Sequence, residues 1–440
     1  MPFNSYPFLF LFLPVAAIGA LALRGSRAFQ WWLLTLSAVF LAIWDYRFLP
    51  LIAAVSGAVW ASAAMMFRRP DQKAAWCAAG LIALAANFAL FRANAAAVGV
   101  SFFTFNLASL LIDTYRGRLA APPSLQGSMT FASCFVYVMA GPLVRWNDVE
   151  KSLQRGQPAD AARFVRGMFM LTSGLAKKVL VADSIALRLN HLLTLDSSGG
   201  AVGAWLAAVA FAVQIYFDFS GYSDMAVGVG LLLGVDLPQN FAAPYRAVQP
   251  ADFWRRWHMS LSAWVRDYIY LSLGLGRSKG RAIFNTFVAM LFVGLWHGIA
   301  WTFVWWGLYH AVLLAAYHLS QTVPALRQMR VPSLAARALT FLAVTAGWVL
   351  FRSDNLAMAG DWFGRLFGTG GIGNVTLLLN QAGRPFPLMV AAALIATQLL
   401  PESYEVRPKA TPLVAAGLGL LFALSLMGMG GSNPFLYMQF

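Results

Sequence analysis

Thirteen apolar runs recur along the 440 residues of this chain and leave few folds open to it. They cover residues 8–23, 31–43, 51–67, 74–90, 98–112, 164–181, 202–215, 225–235, 283–295, 299–314, 339–351, 388–400 and 413–427. A helix needs about 20 residues to cross the hydrocarbon core of a bilayer, with a lower bound near 17. Several runs are shorter, so some are expected to be tilted, re-entrant or partly buried. Strands of a membrane barrel would alternate apolar and polar residues, and these runs do not. The pattern predicts an all-α polytopic membrane protein with roughly ten to thirteen membrane helices in a single domain over residues 1–440.

Composition agrees with that class. Hydrophobic residues make up 60% and charged residues 11%, whereas soluble domains carry about a quarter charged residues. The net charge of +15 would suggest nucleic acid in a soluble protein. Here the positive-inside rule explains it. Arg24 and Arg27 follow the first run, Arg68, Arg69 and Lys73 the third, and Arg116 and Arg118 the fifth. All three clusters fall on the cytoplasmic side if the N-terminus is periplasmic. No basic tract with interleaved aromatics points to a nucleic-acid partner. No Lys or Arg precedes Arg24, so the first run reads as a retained helix rather than a cleaved signal. Cys77 and Cys134 lack metal-ligand or redox spacing and read as packing residues. No internal repeat is visible, which counts against a transporter built from duplicated halves.

A titratable ring within a membrane stretch is costly and by default marks a functional site. His297 stands in Gly294-Leu295-Trp296-His297-Gly298, between the runs 283–295 and 299–314. Imidazole exchanges protons near neutral pH, so His297 is the first candidate for a general base. His258 lies 39 positions earlier, in Trp254-Arg255-Arg256-Trp257-His258-Met259-Ser260. In that segment Phe253, Trp254, Trp257, Leu261, Trp264, Val265 and Tyr268 share one helical face by their spacing of three and four, and Pro250 suits the first turn. The expectation is one amphipathic interfacial helix anchored by tryptophans. Arg255, Arg256 and Arg266 are placed to hold the phosphates of an anionic donor, with Trp257 and Trp296 lining the same site. Asp218 and Asp224, in Phe217-Asp218-Phe219-Ser220-Gly221-Tyr222-Ser223-Asp224, interrupt an apolar region. Buried carboxylates need partners. They are expected either to cap a helix end beside Gly221 and pair with an arginine, or to orient a histidine and line a polar passage. No metal site is indicated.

These blocks, in this order, resemble the membrane-bound O-acyltransferase family, in its bacterial alginate O-acetylation branch. The likeness includes Phe8-Leu-Phe-Leu-Phe-Leu-Pro14, Gly99-Val-Ser-Phe-Phe-Thr-Phe105, Ala140-Gly-Pro-Leu-Val-Arg145 and Gly174-Leu-Ala-Lys-Lys178, and is strongest over residues 217–226, 252–261 and 294–298. The resemblance implies a ring of tilted transmembrane helices around a central tunnel, with interfacial and re-entrant helices and core motifs at 217–310. It implies His297 as the central catalytic histidine and His258 as the second, more variable polar position. An acyl donor, acetyl-CoA, would enter from the cytoplasm and an acceptor from outside, with no resident cofactor. The tail 430–440, ending Phe435-Leu-Tyr437-Met-Gln-Phe440, is similar to the terminal Phe-x-Tyr-x-x-Phe of bacterial members. Tyr437 is the implied acyl carrier toward a periplasmic SGNH-hydrolase-like partner; an aromatic membrane anchor is the plainer role.

The expected function is transfer of acetyl groups across the inner membrane for O-acetylation of a cell-surface polysaccharide, an alginate-like exopolysaccharide being favoured. Peptidoglycan O-acetylation and teichoic-acid D-alanylation are the alternatives within the family. A polytopic transporter without transfer chemistry is the alternative of another class.

Overall fold

The computed structural model describes residues 1–92, 99–194, 199–274, 278–329, 331–430 and Leu436. Every regular element among the described residues is helical. In chain order the α-helices are α1 Leu13–Leu23, α2 Ala28–Asp45, α3 Phe48–Arg68, α4 Lys73–Arg92, α5 Val100–Tyr115, α6 Leu125–Ser133, α7 Trp146–Arg155, α8 Ala161–Ala176, α9 Ser184–Thr194 and α10 Gly200–Leu233. There follow α11 Pro250–Arg256, α12 Met259–Val265, α13 Lys279–His297, α14 Trp301–Ser320, α15 Pro324–Gln328, α16 Ser333–Arg352, α17 Leu356–Leu366, α18 Val375–Ala382, α19 Pro385–Leu399 and α20 Pro412–Gly428.

Six helical segments among the described residues are long and apolar enough to cross a membrane: Ala28–Asp45, Phe48–Arg68, Pro70–Leu90, Gly200–Leu233, Ser333–Arg352 and Pro385–Glu405. Phe8–Leu23 and Pro412–Gly428 are shorter apolar helices. This is fewer than the ten to thirteen spans that the apolar runs suggest. One cause is α10, in which two runs are a single 34-residue helix. The polar stretch between them continues the helix through Gly221, so Asp218 and Asp224 are not caps at a helix end. They lie six residues apart, about 240° around the axis.

The backbone gathers into two compact units. The first comprises residues 1–175, 222–239 and 406–429. Phe8, Phe12, Phe40 and Phe135 meet there, with Phe12–Phe135 and Phe40–Phe135 centroids 5.1 and 5.5 Å apart. The C-terminal part of α10 lies hard against α8. A Cβ on Gly228 would come 2.4 Å from the Leu171 backbone nitrogen, a gap no side chain could enter. Phe10, Leu11, Ile18 and Leu21 are exposed, as residues facing lipid would be.

The second unit comprises residues 176–221, 240–405 and 430–440. Its centre is aromatic. Trp257 packs on Trp348 at 4.9 Å, Trp348 stacks on Trp306 at 6.2 Å, and Phe253 stacks on Trp257 at 5.5 Å. Here α13 and α14 are joined by a tight turn and pack backbone to backbone. A Cβ on Gly294 would stand 2.4 Å from the Phe303 carbonyl oxygen, and one on Gly307 2.6 Å from the Met290 carbonyl oxygen. Small residues at facing positions are how membrane helices approach closely. This contact sets where the end of α13, and therefore His297, must lie.

Candidate active site

His297 is the last residue of α13, followed by extended Gly298. It is a helix-terminal residue rather than one in mid-span. The carbonyl end of a helix is the negative end of its dipole and favours a neighbouring cation, which suits a base that becomes imidazolium when it takes a proton. The ring is buried, at 5% exposure. Its walls are Trp296 at 4.5 Å, Phe351 at 4.9 Å, Trp306 at 5.3 Å and Phe303 at 6.1 Å between centroids. Such a wall keeps bulk water away and strengthens any polar contact made inside it.

His258 does not sit within a continuous interfacial helix. The expected helix is broken at this residue into α11 and α12, and His258 takes a left-handed backbone with φ 43°. That region is uncommon for any residue but glycine, and such strain persists where the surroundings over-determine it, characteristically at functional sites. The surroundings here are Asn240. Its carbonyl oxygen accepts from Met259 N at 2.9 Å. Its side-chain oxygen accepts from Ser260 N at 3.3 Å, from Ser260 Oγ at 2.8 Å, and faces His258 Nδ1 at 3.0 Å. A backbone N–H can only donate, so the Ser260 amide assigns this atom of Asn240 as the oxygen. His258 Nδ1 therefore carries the proton and Nε2 is the lone-pair nitrogen. The ring is buried and lies edge-on to Phe219 at 4.7 Å.

One indole joins the two histidines. Trp296 is 6.3 Å from His258 and 4.5 Å from His297 between centroids. The structure thus brings together His258, Trp296 and His297. Trp257 is beside them in sequence but buried at 1% exposure in the aromatic centre, so it packs the site rather than forming an interfacial rim. At Trp306, which faces His297, and at its neighbours Trp254, Trp348 and His310, the Nε1 atoms of the three tryptophans and Nε2 of His310 are buried without a partner among the described residues. Orphaned buried polar atoms are rare, and here they are grouped in one aromatic cluster that a bound polar molecule could satisfy.

The arginines divide. Arg256 is paired with Asp252 at 2.9 Å and Arg266 with Asp267 at 2.7 Å, while Arg255 is exposed. The carboxylates divide as well. Asp218, in the second unit, receives Lys178 Nζ on Oδ1 at 2.5 Å and the Leu436 backbone N–H on Oδ2 at 2.9 Å. Its partners are thus a lysine and a main-chain amide, instead of an arginine or a histidine. Asp224 is buried in the first unit. Tyr437 lies outside the described residues.

Three residues of this neighbourhood escaped the reading of the sequence. Lys178 stood within an apolar run, which was a signal. Asn240 and Glu402 stood in polar loops with nothing in their spacing to mark them. Glu402 Oε1 accepts both Tyr216 Oη and Ala243 N at 2.6 Å, and so pins the loop that carries Asn240.

The model of the MBOAT, membrane-bound O-acyltransferase family, matches residues 36–353. The protein named "Probable alginate O-acetylase AlgI" of Pseudomonas fluorescens is 38% identical over 84% of this chain and 76% of its own length. Its namesake in Pseudomonas putida is 34% identical over the whole of both chains. The "Peptidoglycan O-acetyltransferase" of Helicobacter pylori is 30% identical over 81% of this chain and 78% of its own.

Proposed function

The chain belongs to the membrane-bound O-acyltransferase family and is a multi-pass O-acyltransferase, and on that footing we propose that it moves acetyl groups across the bacterial inner membrane for O-acetylation of an alginate-like exopolysaccharide, with His297 as general base. The observation that carries the reading is that His258 and His297 both neighbour Trp296, within a chain whose similar relatives include proteins named for alginate O-acetylation.

The chemistry follows from the groups present. A hydroxyl is a weak nucleophile at neutral pH and needs a base within hydrogen-bond reach. The acceptor oxygen attacks the thioester carbonyl of acetyl-CoA and His297 takes its proton. The tetrahedral intermediate collapses, the C–S bond breaks and the thiolate leaves, receiving a proton. His258, with Nε2 as the acceptor nitrogen, orients the hydroxyl or the donor. The indole N–H groups of Trp306 and Trp348 are donors suited to the carbonyl oxygen. The aromatic wall protects the thioester from water.

The first acceptor in this proposal is the Tyr437 hydroxyl, which passes the acetyl group to a periplasmic SGNH-hydrolase-like partner that esterifies the polysaccharide. The N-terminus is periplasmic, which places Arg24, Arg27, Arg68, Arg69 and Lys73 on the cytoplasmic side. Arg255 meets the donor phosphates there.

Mass spectrometry of surface glycans, with the protein present, absent, or carrying His297→Ala, is the test. The expected result is O-acetyl loss in both deficient strains, with His297→Ala still found in the membrane at native amount. Acetylated peptidoglycan or D-alanyl esters changing instead would reassign the acceptor. Full acetylation with His297→Ala would remove the proposed base.

A further inference from the structure

We propose that Asp218, hydrogen-bonded to Lys178, is the latch that docks the chain at the backbone of Leu436. What the latch serves rests on the carrier reading above; the docking does not. Asp218 and Lys178 side chains are each 2% exposed. Lys178 Nζ bridges two carboxylates, Asp218 Oδ1 at 2.5 Å and Asp183 Oδ1 at 2.8 Å. Lys178 Nζ reaches only Oδ1 of Asp218, which leaves Oδ2 to find its own partner. A buried carboxylate in that position needs another donor. The donor the structure supplies is not a side chain but the N–H of Leu436, 2.9 Å from Oδ2 and 218 residues away in sequence. Leu436 is itself buried at 7% exposure.

A main-chain donor makes the hydrogen bond itself available whatever side chain stands at 436, proline excepted. The next residue in sequence is Tyr437, the proposed carrier. Lys178 and Asp218 are thus positioning residues: the lysine holds the carboxylate in place, and the carboxylate holds the peptide.

The test uses the full-length protein in membranes. Leu436→Cys reports docking by its rate of maleimide labelling; the native Cys77 and Cys134 are buried. With Asp218 present the thiol is expected to label slowly. In Asp218→Leu, where Lys178 keeps Asp183 as its partner, labelling should rise about tenfold to a hundredfold, the shift expected on losing a hydrogen bond to a charged group. The double variant Lys178→Met/Asp218→Leu leaves no lysine charge to compensate and should show the same rise, which guards against misfolding of the single variant. Separately, Leu436→Pro deletes the donor and should abolish transfer, whereas Leu436→Ala keeps the N–H and should retain it. Labelling that stays slow in both Asp218 variants overturns the latch. Fast labelling with undiminished transfer leaves the latch standing and sinks the carrier reading instead.

Discussion

Asn240 Oδ1 receives the Nδ1 proton of His258 at 3.0 Å, and the same oxygen holds the Ser260 amide at 3.3 Å. One side chain therefore fixes both the left-handed turn at residue 258 and the tautomer of its ring. If Nε2 is the working nitrogen, removing the acceptor releases the ring to the wrong tautomer and orientation. Asn240→Leu is expected to lower transfer by roughly 10², the lower range for a positioned acid or base. Asn240→Asp keeps an acceptor oxygen in place and should retain most of the activity. Initial rates of acetyl transfer from labelled donor, at matched protein amounts in membranes, check both.

The α13–α14 contact sets the position of His297, and its glycines carry it. Gly294→Ala would put a methyl group 2.4 Å from the Phe303 carbonyl oxygen, and backbone cannot yield as a flexible side chain can. Overpacking of this kind costs about 1–3 kcal/mol, and the turn bearing His297 would move with it. Gly280 is the internal control, because a Cβ there meets nothing within 4 Å and Ala is the better helix former. Gly280→Ala should leave the melting temperature in detergent unchanged or higher. Gly294→Ala should lower both the melting temperature and the transfer rate.

The three arginines once grouped as donor ligands are now unequal. Arg256 and Arg266 each face a carboxylate within 3 Å, so recruiting either to a phosphate would first break that pair. Arg255 makes no ion pair among the described residues and is exposed. Arg255→Ala is expected to raise the KM for acetyl-CoA about tenfold, the loss of one charge-assisted contact, with kcat unchanged. Arg266→Ala should alter the KM far less. Steady-state kinetics with acetyl-CoA varied would separate the two residues.

The helical class and the two histidines were legible because each leaves a local mark: sustained apolar runs, and a titratable ring where apolar residues are the rule. The span count was not, because an apolar run reads alike whether lipid or protein covers it. Thus the runs at 202–215 and 225–235 prove to be one helix. The break at His258 was hidden for another reason. Spacings of three and four describe a helical face, and nothing in them announces a left-handed residue imposed by Asn240, 18 positions upstream. Likewise Lys178 was visible as a charge in an apolar run, but its pairing with Asp218, 40 positions on, exists only once α10 is folded beside it.

Glu402 offers a test of how the Asn240 loop is held, since both of its short bonds, from Tyr216 Oη and Ala243 N, fall on the single atom Oε1. Only Oε2 faces Lys177, at 3.8 Å. Glu402→Gln can present its amide oxygen to the same two donors and forfeits only the 3.8 Å ion pair with Lys177. Glu402→Leu strands two buried donors, each costing about 1–3 kcal/mol, beside Ala243, whose own φ of 48° leaves the turn little reserve. The leucine variant should unfold at distinctly lower temperature in detergent and lose transfer through the loop that carries Asn240, while the glutamine variant tracks the native protein in both. Equal stability of the two variants would show that the carboxylate is not what holds this loop.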